Sequence, residues 1–314
     1  MAICVARFAV TISADVEIAD VLVIGAGPAG LVGAVYLSRY RRNVVVVDAG
    51  ASRAARIPRS RNVPGFPAGI AGPLLLQRLR RQATASGVVV TAGKIDALRH
   101  ETGGLFVAEG STRTWRARNL LLATGMKDTP LSIPLPNSAT RRGIVRWCPV
   151  CDGYEAIDRR ILIVGESSHG AEHALFIRSY TNDLTLLLVD GAALAGNDAA
   201  ALQLAGVRVV HGTPARVRLQ RKSGELQLQD GTRLHFDVMY PMLGGTPQVA
   251  PATGLGARCG ADGRLDVDEF EETSISGLYV AGDAVSSLNQ ICVAMAQAAV
   301  AATAIHRRLG SNYR

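Results

Sequence analysis

The chain has 314 residues, of which 48% are hydrophobic and 19% are charged, which suggests about two domains and excludes a disordered chain. Its net charge is +8, but the basic residues are scattered without a long basic arm, so we expect no nucleic-acid partner. No apolar run approaches the roughly 20 residues of a membrane span, so we also expect no membrane association.

Residues 1–19 are apolar but are interrupted by Arg7, Asp15 and Glu17. They lack the charged start and the small-residue cleavage site of a signal peptide, so we interpret them as an N-terminal extension. The cysteines are odd in number and widely dispersed, which argues against the disulfide framework of a secreted protein. We therefore expect a cytoplasmic protein. The five cysteines are Cys4, Cys148, Cys151, Cys259 and Cys292.

The first informative elements form a βαβ unit. An apolar strand from Asp20 runs into a glycine-rich turn, a helix follows over Leu31–Arg39, and a second strand over Val44–Val47 ends in Asp48. The turn carries the pattern G-x-G-x-x-G, which in this context indicates a dinucleotide site.

Each glycine of that turn has a physical reason. Gly25 allows the tight turn, Gly27 lets a pyrophosphate approach the backbone, and Gly30 lets the helix pack on the strand. Free amides at the start of the helix would hold the phosphates. Asp48 is placed to accept hydrogen bonds from ribose hydroxyls.

The remaining predicted elements include a second βαβ unit about 140 residues after the first. Its turn, residues 165–170, carries Ser167 where the middle glycine is expected. In chain order the further elements are a helix over Pro73–Ala85, strands over Val88–Val90, Leu105–Val107 and Leu120–Gly125, a strand over Ile161–Gly165, a helix over Ala171–Tyr180, a strand over Leu184–Val189, an acidic turn over Leu265–Glu272, a strand entering a Gly-Asp turn over Gly277–Asp283, and a helix over Ile291–Leu309.

Between the two units lies a C-x-x-C pair, Cys148 and Cys151. A structural zinc site would need two further ligands, and no second paired motif accompanies it, so we expect no metal. Two buried cysteines without chemistry are a second interpretation. A redox dithiol is the third and the one we favour, because this spacing closes a short disulfide and Asp152 follows directly as a possible proton donor.

These motifs together resemble the low-molecular-weight thioredoxin reductases over about residues 20–309. They occur in the family's order and at its spacings. The motifs are Gly25–Gly30, Asn62–Gly65, Gly72–Leu74, Ala123–Gly125, Cys148–Gly153, Thr273–Gly277, Ala281–Asp283 and Asn289–Ile291.

The resemblance implies an α/β fold with two dinucleotide-binding domains of the Rossmann-like, three-layer type. The FAD-binding domain would be discontinuous, with residues 20–126 and 245–314. The second domain, residues 127–244, would be inserted in it and would carry the dithiol and a degenerate pyridine-nucleotide site. The family also implies a homodimer.

The resemblance further implies roles for individual residues. Cys151 would face the flavin and form the charge-transfer thiolate, Cys148 would attack the partner's disulfide, and Asp152 would be the acid/base. The implied FAD ligands are Gly25, Gly27, Pro28, Ala29 and Gly30 at the pyrophosphate, Asp48 at the adenosine ribose, Asn62 near the flavin, Thr124 in its strand-end motif, Gly282 and Asp283 at the ribityl and phosphate portion, and Asn289, Gln290 and Ile291 at the isoalloxazine.

The second βαβ unit departs from the family. There the family has a glycine-rich turn and a basic cluster that binds the 2′-phosphate of NADPH, whereas this chain has Glu166, Ser167 and Asp190. An aspartate at that position repels a 2′-phosphate, although it can bind the ribose hydroxyls of NADH. We therefore expect NADPH to be a poor donor.

The sequence as a whole predicts a flavoprotein that transfers electrons between FAD and the Cys148–Cys151 pair, and on to a thioredoxin-like protein or a small disulfide. The alternatives are a reductase driven by NADH, ferredoxin or another flavin, and a dithiol oxidase that passes electrons to oxygen. Asp152 favours the reductase, because the related oxidases typically have histidine there. A flavin-bound redox sensor without turnover and a plain NAD-binding module are the remaining hypotheses.

Overall fold

The computed structural model describes residues 18–167 and 169–313. The predicted extension therefore lies outside the described residues except for its last two positions, as do Cys4 and Ser168. In chain order the elements are β1 (Ile18–Ile24), α1 (Pro28–Arg39), β2 (Val44–Asp48), α2 (Gly72–Ala85), β3 (Val89–Ala92), β4 (Ala97–His100), β5 (Phe106–Glu109), β6 (Thr114–Leu122), β7 (Met126–Asp128), α3 (Asn137–Arg141), α4 (Pro149–Asp152), β8 (Ile161–Gly165), α5 (Gly170–Ile177), β9 (Leu184–Leu188), α6 (Gly196–Leu204), β10 (Arg208–His211), β11 (Pro214–Leu219), β12 (Gly224–Leu228), β13 (Arg233–Phe236), β14 (Val238–Met242), β15 (Gly245–Pro247), α7 (Ala250–Thr253), β16 (Leu278–Val280) and α8 (Ile291–Arg308).

The largest sheet has seven strands in the order β3-β2-β1-β6-β5-β4, with β16 paired to the end of β6. The strands β3, β2, β1, β6 and β16 are parallel, whereas β4 and β5 are antiparallel additions. Parallel strands need crossover connections, and α1 and α2 supply two of them. One face of the sheet is buried under α1, α2 and α8.

A second parallel sheet, β10-β9-β8-β14, is built from residues 161–242 and packs with α5 and α6. A three-stranded antiparallel sheet, β11-β12-β13, covers its other face. The strands β7 and β15 pair with each other where the chain leaves and re-enters the first sheet. The α/β fold with two dinucleotide-binding-type units is therefore confirmed, and the second unit lies within the sequence of the first.

Several element boundaries differ from the predicted ones. Helix α1 begins at Pro28 rather than at Leu31, because proline lacks only an N–H that the first helical turn leaves unpaired. Helix α5 ends at Ile177 instead of Tyr180. The antiparallel strands β11–β13 were not predicted, although apolar and polar residues alternate along them; each strand has only four to six residues.

Candidate active site

Cys148 and Cys151 form a disulfide at the single-turn helix α4. Cys148 is the residue that precedes the helix, and its carbonyl oxygen accepts the Cys151 N–H at 3.0 Å. Both cysteines are half-buried. The pairing that the C-x-x-C spacing suggested is therefore present in the structure.

The disulfide faces a side chain from the other domain. Gln290 Nε2 lies 3.5 Å from Cys148 Sγ and 3.6 Å from Cys151 Sγ. Gln290 Oε1 accepts a hydrogen bond from Asn62 Nδ2 at 2.9 Å, and Ser60 Oγ donates to Asn62 Oδ1 at 2.9 Å. The fold thus brings three predicted site segments together, around residues 62, 148–151 and 290.

Asp152 turns away from solvent toward the second sheet. Its Oδ1 accepts a hydrogen bond from the phenol of Tyr240 at 2.8 Å, and the Arg146 guanidinium lies 3.9 Å from the same oxygen. Burial raises the pKa of Asp152 to about 6, against the opposing influence of the Arg146 charge and the Tyr240 hydrogen bond. A carboxyl with such a pKa can both take and give a proton near neutrality.

The glycine-rich turn 25–30 has the geometry that its spacing predicts. Gly25 has φ +105°, and a Cβ there would lie 2.4 Å from the carbonyl oxygen of Ala123. A Cβ on Gly30 would lie 1.8 Å from the oxygen of Gly25. At Gly27, by contrast, a Cβ would meet only Ser52 Oγ at 3.4 Å, so this backbone stays open to a ligand.

The strand end beside this turn places Asp48. Its Oδ1 accepts the Ala26 N–H at 3.0 Å, and Arg80 pairs with its other oxygen at 3.3 Å. Thr124 donates its hydroxyl to the carbonyl of Gln248 at 2.6 Å. These contacts hold the predicted residues at the edge of the sheet where strands β1, β2 and β6 end.

Gly282 and Asp283 lie beside the same turn. Gly282 has φ +89°, and a Cβ there would lie 3.4 Å from the Cβ of Ala29 at the start of α1. The Asp283 carboxylate pairs with Arg53 at 2.5 Å, and Arg53 also pairs with Asp128 at 2.6 Å. Arg53 was not predicted as a site residue, because an arginine in a short 3₁₀ helix (Arg53–Arg56) of an arginine-rich chain gives no signal of its own.

The segments around the first glycine-rich turn have two features that suit a bound dinucleotide. Asn289 Oδ1 is buried without a hydrogen-bond partner, although buried polar atoms are normally paired. Asn289 immediately precedes Gln290 and the start of α8 at Ile291. An open phosphate turn at Gly27 and an unpaired acceptor at Asn289 are features that a bound cofactor would explain.

At the second glycine-rich turn, in the other domain, Ser167 and Asp190 are hydrogen-bonded to each other. Asp190 Oδ2 accepts the Ser167 N–H at 2.9 Å and the Ser167 hydroxyl at 2.6 Å. These hydrogen bonds lower the pKa of Asp190, so it is an anion at neutral pH. The amide and the carboxylate at this turn therefore already bind each other.

Within the ranges 18–167 and 169–313, His, Cys, Asp and Glu form no cluster of three or more that could hold a metal ion. Over the same part of the chain no helix is long and apolar enough to cross a membrane.

Comparisons with known proteins find relatives over almost the whole chain. Residues 19–298 match the family described as pyridine nucleotide-disulphide oxidoreductase. The thioredoxin reductase of Treponema pallidum is 28% identical over 304 residues, which cover 91% of this chain and 95% of that protein. The crystal structure of HlmI, also 28% identical, covers 93% of this chain and 92% of that one with a TM-score of 0.85. The thioredoxin reductase of Streptococcus pyogenes is 23% identical, with a TM-score of 0.85 over 95% of this chain and 100% of that one, a likeness of fold alone.

Proposed function

The chain belongs to the pyridine nucleotide-disulphide oxidoreductase family, and we propose that it is an FAD-dependent disulfide oxidoreductase in which electrons pass between FAD and the Cys148–Cys151 disulfide. The family membership confirms the resemblance inferred from the motifs. The single observation that carries the proposal is the contact of the disulfide with Gln290, between Asn62 and the start of α8, where the motifs predict the flavin.

The residues that would hold FAD are those that the resemblance implies, and Arg53 would hold the carboxylate of Asp283 in place. FAD, when bound, supplies a carrier of two electrons. The turn at Gly25, Gly27 and Gly30 would hold its pyrophosphate through backbone amides and the start of α1. Asn289 and Gln290 would present their amides to the ring system. We propose the boundaries 20–126 and 245–314 for the FAD domain and 127–244 for the inserted domain.

In the reducing direction the disulfide accepts two electrons and becomes a dithiol. The Cys148 thiolate attacks one sulfur of the partner's disulfide, forms a mixed disulfide and releases one partner thiolate. The Cys151 thiolate then attacks the Cys148 sulfur, re-forms the internal disulfide and releases the second partner thiolate. Protonated Asp152 would supply the proton to a departing thiolate.

The partner that we propose is a thioredoxin-like protein or a small disulfide, and the enzyme would act as a cytoplasmic homodimer. The thioredoxin reductase names of the relatives support the partner class. Asp152 in place of the histidine of related oxidases supports the reducing direction over oxygen-dependent dithiol oxidation.

We further propose that NADPH is a poor electron donor. The Asp190 carboxylate would repel a 2′-phosphate, and Ser167 fills the place of the middle glycine. NADH, ferredoxin or another flavin would then supply the electrons. The hydrogen-bonded Ser167–Asp190 pair is the observation that favours these donors.

Trapping a mixed disulfide tests the proposed roles of Cys148 as the attacking thiol and Cys151 as the resolving thiol. Cys151→Ser should accumulate a covalent adduct with oxidised thioredoxin or glutathione disulfide after reduction, because the resolving thiol is missing. Cys148→Ser should form none and should lose turnover while it retains FAD. The adduct is detected by mass under non-reducing conditions, with Cys259→Ser as the matched control. Full turnover by Cys148→Ser would contradict the role of Cys148 as the attacking thiol.

A further inference from the structure

Tyr240 and Asp152 are hydrogen-bonded although 88 residues of sequence separate them. Tyr240 lies on β14, opposite Ile163 of β8, and its side chain is fully buried. Its hydroxyl reaches Asp152 at 2.8 Å from the interior of the second sheet. A tyrosine that points its only polar atom at the residue next to a redox disulfide has a defined orientation and a defined partner.

We propose that Tyr240 is a positioning residue for the thiol–disulfide reaction, which holds the Asp152 carboxyl in the orientation and protonation state in which it exchanges protons with the Cys148–Cys151 dithiol. The proposal rests on the proposed function and extends it to a residue that no motif includes. Tyr240 would not touch the reacting sulfurs itself but would act through Asp152.

Burial, together with the charge of Asp152, keeps the Tyr240 phenol protonated and therefore a hydrogen-bond donor. Burial and the negative charge of Asp152 raise the pKa of Tyr240, so its hydroxyl keeps its proton throughout the neutral range. The other charged groups that act on Asp152 are the Arg146 guanidinium, at 3.9 Å, and the Glu155 carboxylate, which is paired with Arg61 at 3.3 Å.

The surrounding contacts fix the geometry of this pair. Arg146 donates to the backbone carbonyl of Asp152 at 2.7 Å, so the main chain is held as well as the side chain. In the turn that follows α5, the ring of Tyr180 packs on Gly153, where a Cβ would lie 3.0 Å from the ring. Asp152 is thus hydrogen-bonded through its backbone carbonyl to Arg146 and through its carboxyl to Tyr240.

The proton balance gives Tyr240 a measurable effect. When the Cys148 thiolate breaks a partner's disulfide, the departing thiolate must take up one proton, and Asp152 then changes from carboxylic acid to carboxylate. The Tyr240 hydrogen bond stabilises that carboxylate and orients its second oxygen. Loss of the phenol hydroxyl should therefore slow the reaction more when the departing thiolate is more basic.

The experiment compares two disulfides with pre-reduced enzyme in a single turnover, from about pH 5 to about pH 9. Hydroxyethyl disulfide releases a basic aliphatic thiolate that needs a proton. An aromatic nitrothiobenzoate disulfide releases an acidic thiol that leaves as the anion. For Tyr240→Phe we expect a rate loss of roughly tenfold with the aliphatic disulfide and less than about twofold with the aromatic one.

Matched variants make the result decisive. Tyr36→Phe removes a phenol hydroxyl from an exposed tyrosine of α1, away from the disulfide, and it should match the unchanged enzyme with both disulfides. Asp152→Asn, which removes the proton donor itself, gives the largest rate loss expected with the aliphatic disulfide relative to the aromatic one. Equal losses of Tyr240→Phe with both disulfides would show a merely structural role, and no loss with either would also overturn the proposal.

A titration that needs no turnover separates this proposal from the proposed function. Difference infrared spectroscopy against Asp152→Asn follows the protonation of the Asp152 carboxyl directly. Its midpoint should rise by on the order of one pH unit in Tyr240→Phe. An unchanged midpoint would refute the role of Tyr240. Enzyme that reduces neither disulfide, with a shifted midpoint, would instead refute the proposed function.

Discussion

Gln290 Nε2 lies 3.5 Å from the sulfur of Cys148, although 142 residues separate the two in sequence. The amide comes from the turn that begins α8, and the sulfur comes from α4 in the other domain. The same nitrogen lies 3.6 Å from Cys151 Sγ. A side chain that donates to both sulfurs is placed to stabilise whichever becomes a thiolate when the disulfide opens.

Gln290→Leu should therefore make the dithiol less acidic. Without the amide donor we expect the pKa of the more acidic thiol to rise by on the order of one unit. The pH dependence of alkylation of the reduced protein by iodoacetamide measures this directly. Gln203→Leu, at an exposed position of α6, is the control. If the pH dependence of alkylation is unaltered in Gln290→Leu, the Gln290 amide does not stabilise the thiolate.

Asp152 should make stability depend on pH. Burial raises its pKa from 3.8 to about 6, so the folded protein binds a proton that the unfolded chain releases, and stability falls as pH rises between these values. Asp152→Asn removes this effect. The difference in free energy of unfolding between Asp152→Asn and the unchanged protein should therefore shift by about 2 kcal/mol in favour of the variant as pH rises from about 4 to about 8.

Denaturant unfolding at several pH values measures that gain. Asp183→Asn is the matched control, because Asp183 is an exposed carboxyl in a loop of the same domain. A gain of equal size in both variants, or none in Asp152→Asn, would contradict the account of Asp152 as a buried acid.

The two helix-side glycines of the first turn should respond differently to alanine. A Cβ at Gly27 meets only the Ser52 hydroxyl at 3.4 Å, so Gly27→Ala should fold with a stability change within about 1 kcal/mol but retain little FAD. Gly30→Ala should destabilise the fold itself by about 1–3 kcal/mol, because its Cβ would lie 1.8 Å from the Gly25 oxygen.

Thermal unfolding and the ratio of flavin to protein absorbance read the two effects separately. Gly196→Ala, at the start of α6 with open space around it, controls for the substitution. Full flavin content in Gly27→Ala would show that the pyrophosphate does not bind at this turn.

The Asp190 carboxylate at the second turn predicts which nicotinamide donor reacts faster. NADH should reduce the flavin roughly tenfold faster than NADPH, because the Asp190 anion repels a 2′-phosphate. Asp190→Ala should narrow that ratio, whereas Asp183→Ala should leave it unchanged. Anaerobic stopped-flow absorbance with each nucleotide gives both rates, and a faster reaction with NADPH in the unchanged enzyme would reverse this interpretation of Asp190.

The sequence predicts the parts of this site that depend on local spacing. Gly25, Gly27 and Gly30 lie in one turn, and the strand before them is a continuous apolar run, so their arrangement follows from short-range geometry. The disulfide likewise follows from three-residue spacing. The sequence also showed Ser167 and Asp190 as separate departures from the family pattern, although not that they bind each other.

Contacts that the tertiary fold creates could not be predicted in the same way. Tyr240 lies in an apolar strand, VMYPM, where a tyrosine is expected in the core and nothing indicates a partner 88 residues away. Arg53 bridges Asp128 and Asp283 only because strand β7 and the strand end after β16 converge. The partners of Tyr240 and Arg53 depend on how distant segments pack together, and a single sequence does not show that packing.

The central claim is that FAD and the Cys148–Cys151 pair exchange electrons. Anaerobic addition of dithiothreitol, followed by the visible absorbance of the flavin, tests it most directly in the unchanged enzyme, in Cys148→Ser and in Cys151→Ser. The account predicts rapid bleaching of the flavin only when both cysteines are present. Equal bleaching without them, or an unreduced flavin in the unchanged enzyme, would contradict it.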